Sequence, residues 1–140
     1  MDLSTNYLGL KLRTPLVPSA SPLSEEIDHI KEMEDAGAAA VVLHSLFEEQ
    51  TEGDHAESQS PFRIDPETYL KHIAEAKRCV KIPIIASLTC TTLGGWLSYA
   101  RQIQDAGAEA LELNNSNIHT PAKVTRPHNE TEYLDTVRSG

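Results

Sequence analysis

Apolar residues along this chain fall into two patterns that take turns. One is a short unbroken run: Ala39-Ala40-Val41-Val42-Leu43, then Pro83-Ile84-Ile85-Ala86-Ser87-Leu88, then Ala110-Leu111-Glu112-Leu113-Asn114. Strands covered on both faces have this composition, as in a parallel sheet. The other is a stripe at helical spacing, formed by Ile27, Ile30 and Met33, by Tyr69, Ile73, Ala76 and Val80, and by Trp96, Ala100 and Ile103. Ahead of both, Leu8, Leu10 and Leu12 alternate with Gly9 and Lys11 and predict a short strand from Tyr7 to Arg13, stopped by Pro15. Leu16 and Val17 begin a second extended run that ends in the small residues Ser19, Ala20 and Ser21.

Polar residues punctuate these runs. Ser24 is a candidate N-cap, with Glu25 and Glu26 in the first turn where the helix dipole favours acids, and Gly37 is the stop signal. A polar loop from about Phe47 to Asp65 is long enough to be a working loop. Asp65 followed by Pro66 is a second helix start. Asn129 or Thr131 could cap a last helix that includes Tyr133-Leu134-Asp135-Thr136-Val137 and stops at Gly140. Strand and helix therefore alternate four times, which implies parallel strands joined by crossovers. The expected strands are Leu16 to Ser19, Ala40 to His44, Ile84 to Leu88 and Ala110 to Asn114, adjacent and in sequence order.

An internal repeat strengthens that expectation. Met33-Glu34-Asp35-Ala36-Gly37-Ala38 returns 70 residues later as Ile103-Gln104-Asp105-Ala106-Gly107-Ala108. Asp-Ala-Gly-Ala serves in both as the turn from helix to strand, with Gly supplying a left-handed cap. Such a turn is also common in α/β proteins that carry no duplication. The fold expected is α/β: a partial (β/α)₈ TIM barrel, its first four βα units preceded by an N-terminal hairpin strand, as one domain over residues 1–140. A doubly wound sheet is the rival, but no Gly-x-Gly-x-x-Gly fingerprint follows the first strand. A complete barrel needs about 250 residues, so 140 residues suggest its N-terminal half.

The formal net charge is −9 and no basic patch exists, which argues against nucleic acid. No apolar run approaches the roughly 20 residues of a membrane span. Met1-Asp2-Leu3-Ser4-Thr5 lacks a basic stretch before an apolar one, so no signal peptide is expected and the cytoplasm is the default location. Cys79 and Cys90 are too few for a disulfide framework. Cys79, beside Val80, is expected in the core.

Three stretches together carry a family signature: Leu3-Ser4-Thr5-Asn6-Tyr7-Leu8-Gly9-Leu10-Lys11-Leu12-Arg13-Thr14-Pro15-Leu16-Val17-Pro18-Ser19-Ala20-Ser21-Pro22-Leu23, Val41-Val42-Leu43-His44-Ser45-Leu46-Phe47-Glu48-Glu49-Gln50, and Leu88-Thr89-Cys90-Thr91-Thr92-Leu93-Gly94-Gly95-Trp96. The chain resembles the dihydroorotate dehydrogenase family, in particular its bacterial dihydroorotate dehydrogenase-like branch. That resemblance implies an FMN-dependent oxidoreductase of pyrimidine biosynthesis, with a dihydroorotate-like small molecule as substrate and the flavin over the carboxyl ends of the strands. Carried over residue by residue, it implies cofactor contacts at Ala20, Ser21, Ser45 and Asn114. Plainer roles stand beside these: Ser21 could hydrogen-bond the turn before Pro22, and Asn114 could satisfy loop backbone.

The chain departs from the family at several of these places. His44 stands where classical members carry a flavin-contacting lysine, and Thr89-Cys90 replaces the Asn-Gly common in this branch. Asn117 stands where the catalytic cysteine or serine belongs. The later catalytic lysine and the loops that hold the FMN phosphate fall beyond Gly140, so the chain is expected to be inactive alone. Cys90 is the one candidate for a substitute base, if His44 or His119 lowered its pKa. His44, Cys90 and His119 all follow carboxyl ends of strands and suit zinc in ligand type, although their spacing shows no metal motif. Trp96 is expected to anchor packing. A non-catalytic half-barrel that self-associates through open sheet edges is the reading from another class.

Overall fold

The computed structural model describes residues 1–47, 65–90 and 95–115, together with Leu134 and Arg138. An antiparallel hairpin comes first, β1 (Thr5–Tyr7) with β2 (Leu10–Leu12). Leu8 and Gly9 form its two-residue turn, with φ of 51° and 77°. Positive φ at both central positions is what a type I′ hairpin requires. The N-terminal hairpin expected ahead of the βα units is thus present, whereas the single strand read from Tyr7 to Arg13 is broken in two: alternation of Leu8, Leu10 and Leu12 concealed a turn that needs only one glycine.

Three parallel strands form the main sheet: β3 (Val41–Phe47), β4 (Ile84–Cys90) and β5 (Ala110–Asn115), paired in sequence order. Helices α1 (Ile27–Asp35), α2 (Pro66–Cys79) and α3 (Gly95–Ala106) alternate with them. The expected strand from Leu16 to Ser19 is not formed. Its residues nevertheless flank β3, where the Leu16 carbonyl accepts from Ala39 N–H at 2.8 Å and the Pro18 carbonyl accepts from Val42 N–H at 3.0 Å. Pro18 has no N–H to return and the Leu16 N–H goes to Thr14 Oγ1, so the segment supplies acceptors but does not build a ladder. The result is a parallel α/β sheet with an extended segment beside it. The helix expected near Tyr133 lies outside the described residues except for Leu134 and Arg138, both helical.

Helix ends follow the sequence closely in three of four cases. Asp65 caps α2, its carboxylate accepting from Thr68 N–H at 3.1 Å. At both Asp-Ala-Gly-Ala turns the chain makes the same closure: Gly37 N–H reaches Glu34 O and Ala38 N–H reaches Met33 O, and Gly107 and Ala108 repeat this with Gln104 and Ile103. With φ near +105° and +109° at the glycines, these are Schellman caps. The exception is Ser24, which does not cap α1. Pro22 starts a short 3₁₀ turn, Pro22–Glu25, and Glu26 returns to extended backbone before α1 begins.

Between helices and sheet lies the larger core, with Ile30, Leu43, Leu46, Tyr69, Ile73, Ile84, Leu88 and Ile103 buried. Side chains alternate across a strand, so the opposite face collects Val42 and Ile85, which pack with Leu12, Ala39 and Ala40. Cys79, expected in the core, is exposed at the end of α2. Tyr69, Ile73, Ala76 and Val80 already fill the inward stripe, and Cys79 falls off it. The side chain of Trp96 lies outside the described residues.

Candidate functional site

Alternation along β4 sets the chemistry of the face opposite the helices. Ile84, Ala86 and Leu88 point to the helices, which leaves Ile85, Ser87 and Thr89 on the other side. The apolar members come first and form a floor with Leu12, Ala40 and Val42. Toward the carboxyl ends the same face turns polar. Ser45, Ser87 and Glu112 are register partners across all three strands, and Thr89 lies beside Asn114 one row further on. Ser45 Oγ is 2.8 Å from Ser87 Oγ, and Ser87 Oγ donates to Glu112 Oε1 at 2.9 Å. Ser87 is fully buried, whereas Ser45 is half-buried and Glu112 is exposed. In a sheet of parallel strands, ligands sit at this end.

Ser45 reaches that face because β3 carries a bulge. The register runs Val42↔Ile85 and then Ser45↔Ser87, so Leu43 and His44 together oppose Ala86. The extra residue turns Leu43 and His44 to the helix side and restores Ser45 to the other. At the level of the bulge the Tyr69 hydroxyl takes the place of a strand neighbour. It accepts from Ser87 N–H at 3.0 Å and donates to Ser87 O at 3.2 Å. Burial is the main cause that raises the Tyr69 phenol above its ordinary value, and the Glu112 carboxylate adds to it. The hydroxyl therefore stays protonated and can both give and receive.

His44 is buried, and among the described residues neither of its ring nitrogens has a hydrogen-bond partner. Its ring meets Tyr69 edge-on at 5.1 Å between centroids and lies 5.4 Å from the His72 ring. Burial first, and then His72, hold its pKa down at about 4, so the ring is neutral at ordinary pH. His44 thus faces α2, away from the polar row. Sequence reasoning missed the companions that keep it there. Ser24 Oγ accepts from His44 N–H at 2.7 Å and donates to Ser21 O at 2.9 Å, while His72 Nε2 donates to Ser24 O at 2.7 Å. These tie the loop after Pro18 to β3 and α2. A serine three residues after another serine gave no such signal, because its partner lies 20 residues away.

Of the residues expected at a cofactor, Ala20 packs against the apolar floor and Ser45 stands in the polar row above it. Asn114 follows on β5 next to Thr89. Ser21 contributes its carbonyl to the turn that follows, accepting from Ser24 N–H as well as from the Ser24 hydroxyl. His119, Asn117 and the side chain of Cys90 lie outside the described residues. Among the described residues no three His, Cys, Asp or Glu side chains are grouped to hold a metal ion, and no helix is long and apolar enough to cross a membrane. The face offers an apolar floor with a row of hydroxyls and a carboxylate at its rim. Such a surface suits a flat heterocycle that needs apolar contact beneath it and hydrogen bonds at one edge.

No protein-family model matches the chain. The catalytic subunit of dihydroorotate dehydrogenase B (NAD(+)) from Thermoplasma acidophilum is 30% identical over 131 residues, which covers 84% of this chain. The chain spans 43% of that relative's length. The similarity is that of a distant relation to dihydroorotate dehydrogenases.

Proposed function

We propose that this chain is a flavin-binding part of an FMN-dependent oxidoreductase of the dihydroorotate dehydrogenase type, folded as the first half of a (β/α)₈ barrel and working in the cytoplasm. The observation that carries this reading is the row Ser45–Ser87–Glu112, set above an apolar floor at the carboxyl ends of parallel strands. Similarity to the Thermoplasma acidophilum enzyme supports the same reading. Ala20, Ser45 and Asn114 would hold the ring, and the backbone at Ser21 would shape its edge. FMN, when bound, supplies the ring that takes a hydride from a small dihydropyrimidine such as dihydroorotate.

This chain's own share is to position and to shield. The floor excludes water from one face of the ring, and the hydroxyl row fixes its orientation. Among the described residues the polar row has one carboxylate, Glu112, which is committed to Ser87, and none stands where the resemblance puts the base. His44 faces α2, and the amide of Asn117 cannot accept a proton near neutral pH. Loss of a general base costs about 10²–10⁴-fold in rate, so the isolated chain is expected to bind flavin without oxidising dihydroorotate.

Adding FMN to the purified chain and recording its visible spectrum and fluorescence tests the reading. A saturable shift supports it, and none up to high micromolar flavin refutes it. A steady-state assay with dihydroorotate and a dye acceptor tests the missing base. Turnover above the flavin-only blank, abolished by Cys90→Ala, would make Cys90 the base. A second reading, a self-associating half-barrel without catalysis, is favoured by β5, which among the described residues has a strand neighbour on one side only.

A further inference from the structure

Ser87 has one hydroxyl hydrogen and, among the described residues, two polar neighbours of its Oγ. Glu112 Oε1 is 2.9 Å away and Ser45 Oγ is 2.8 Å away. A carboxylate only accepts, so the Ser87 hydrogen goes to Glu112. The contact between the two serines then closes only if Ser45 is the donor. Its single hydrogen is thereby committed inward, and the half-exposed side of Ser45 Oγ is left with lone pairs alone. We infer that Ser45 is a hydrogen-bond acceptor in this site, held in that role by Ser87 and Glu112 as positioning residues, so that the ligand must bring it an N–H or O–H.

The identity of that ligand rests on the flavin reading above. An oxidised isoalloxazine ring has one ring N–H, at N3, and otherwise presents acceptors at N1, N5 and the two carbonyl oxygens. A serine free to rotate could serve any of these. Ser45 as constrained here serves N3–H and rejects the acceptors. This sets how the ring lies in the site, because the N3 edge must point at β3. The burial of Ser87 makes the constraint firm, since water cannot substitute for either of its partners.

The test compares lumiflavin, which carries the ring alone, with 3-methyllumiflavin, which lacks the N3 hydrogen. Both are titrated into the full chain by flavin fluorescence. The wild-type protein should prefer lumiflavin on the order of tenfold, about the worth of one hydrogen bond. Ser45→Ala should remove the preference. Ser87→Ala and Glu112→Ala should also collapse it, because each releases the Ser45 hydrogen to turn outward. A merely structural loss would weaken both rings equally and leave their ratio unchanged. Glu112 is exposed, so its variant keeps the test open should Ser87→Ala fail to fold, and circular dichroism checks both. Equal binding of the two rings by the wild type, or a preference that persists in Ser87→Ala or Glu112→Ala, overturns the inference and leaves the flavin reading standing. Failure of the wild type to bind either ring overturns the flavin reading and the inference with it.

Discussion

Leu8 occupies a backbone conformation that L-residues avoid, with φ at 51°, and its side chain is exposed. A left-handed L-residue costs about 1–2 kcal/mol, and asparagine tolerates the position best after glycine. Leu8→Asn is therefore expected to stabilise the chain by about 0.5–1 kcal/mol, measured as a raised urea midpoint at unchanged slope. His44 poses the opposite problem, a polar ring with no hydrogen-bond partner among the described residues. Its pKa is about 4 in the folded chain against an ordinary 6.5. Between those values the unfolded chain binds a proton that the folded chain refuses, so stability falls as pH is lowered from about 6.5 toward 4. His44→Leu should flatten that slope, and the gap between the two proteins across the window should reach on the order of 2 kcal/mol. Equal pH slopes for both would contradict this. At this scale the sequence was only partly legible. Ser45 was expected at the cofactor from the family resemblance, and His44 was assigned to the same face, since nothing in Leu43-His44-Ser45 announces an extra residue in the ladder.

The bulge in β3 works only because α2 supplies a side chain to meet it. Tyr69 is fully buried, and its hydroxyl serves both backbone groups of Ser87. Tyr69→Phe keeps the ring and strands a buried N–H and C=O, so it is expected to cost roughly 2–4 kcal/mol, read by chemical denaturation. A change below about 0.5 kcal/mol, the scatter of neutral surface substitutions, would show that the ladder closes by itself. Elements as such were largely legible. The stripes predicted α2 and α3, and the unbroken apolar runs predicted β3, β4 and β5. Two errors have one origin, the prolines. Pro18 denies a ladder to the first expected strand, and Pro22 winds Ser24 into a 3₁₀ turn ahead of α1. Local propensity gave the segment's direction but not its hydrogen bonding.

At the scale of the molecule, long-range ties join successive units. Glu34 Oε1 accepts from the backbone N–H of Lys81 and Ile82, and Glu109, paired with Lys77, accepts from Ile84 N–H at 2.9 Å. Arg13 reaches the carbonyls of Glu34 and Ala38 and pins the segment after β2 to the end of α1. Order along the sheet was legible from alternation and the repeated turns. The clamps were not, because they link residues 21 to 48 positions apart. Among the described residues β5 has a single strand neighbour, and Glu112 and Asn114 on its polar face are exposed. Open edges invite pairing. Sedimentation velocity at tens of micromolar, a concentration range where exposed edges associate, is expected to show a dimer or larger species, and a stable compact monomer would argue against it.

The bulge also gives β3 something like a reading frame. Along a regular strand the loss of one residue turns every later side chain to the wrong face. In β3, Leu43 and His44 share a side, so one of them is surplus to the phase of the strand. Deleting His44 leaves Val41, Leu43 and Leu46 toward the helices and Val42 and Ser45 toward the polar row. Deleting Val42 instead inverts whichever part of the strand must shift. The two single-residue deletions should therefore separate cleanly, His44 giving a cooperative unfolding transition and Val42 giving none. A bulge of this kind marks the one place where this strand can change its length without changing what it presents.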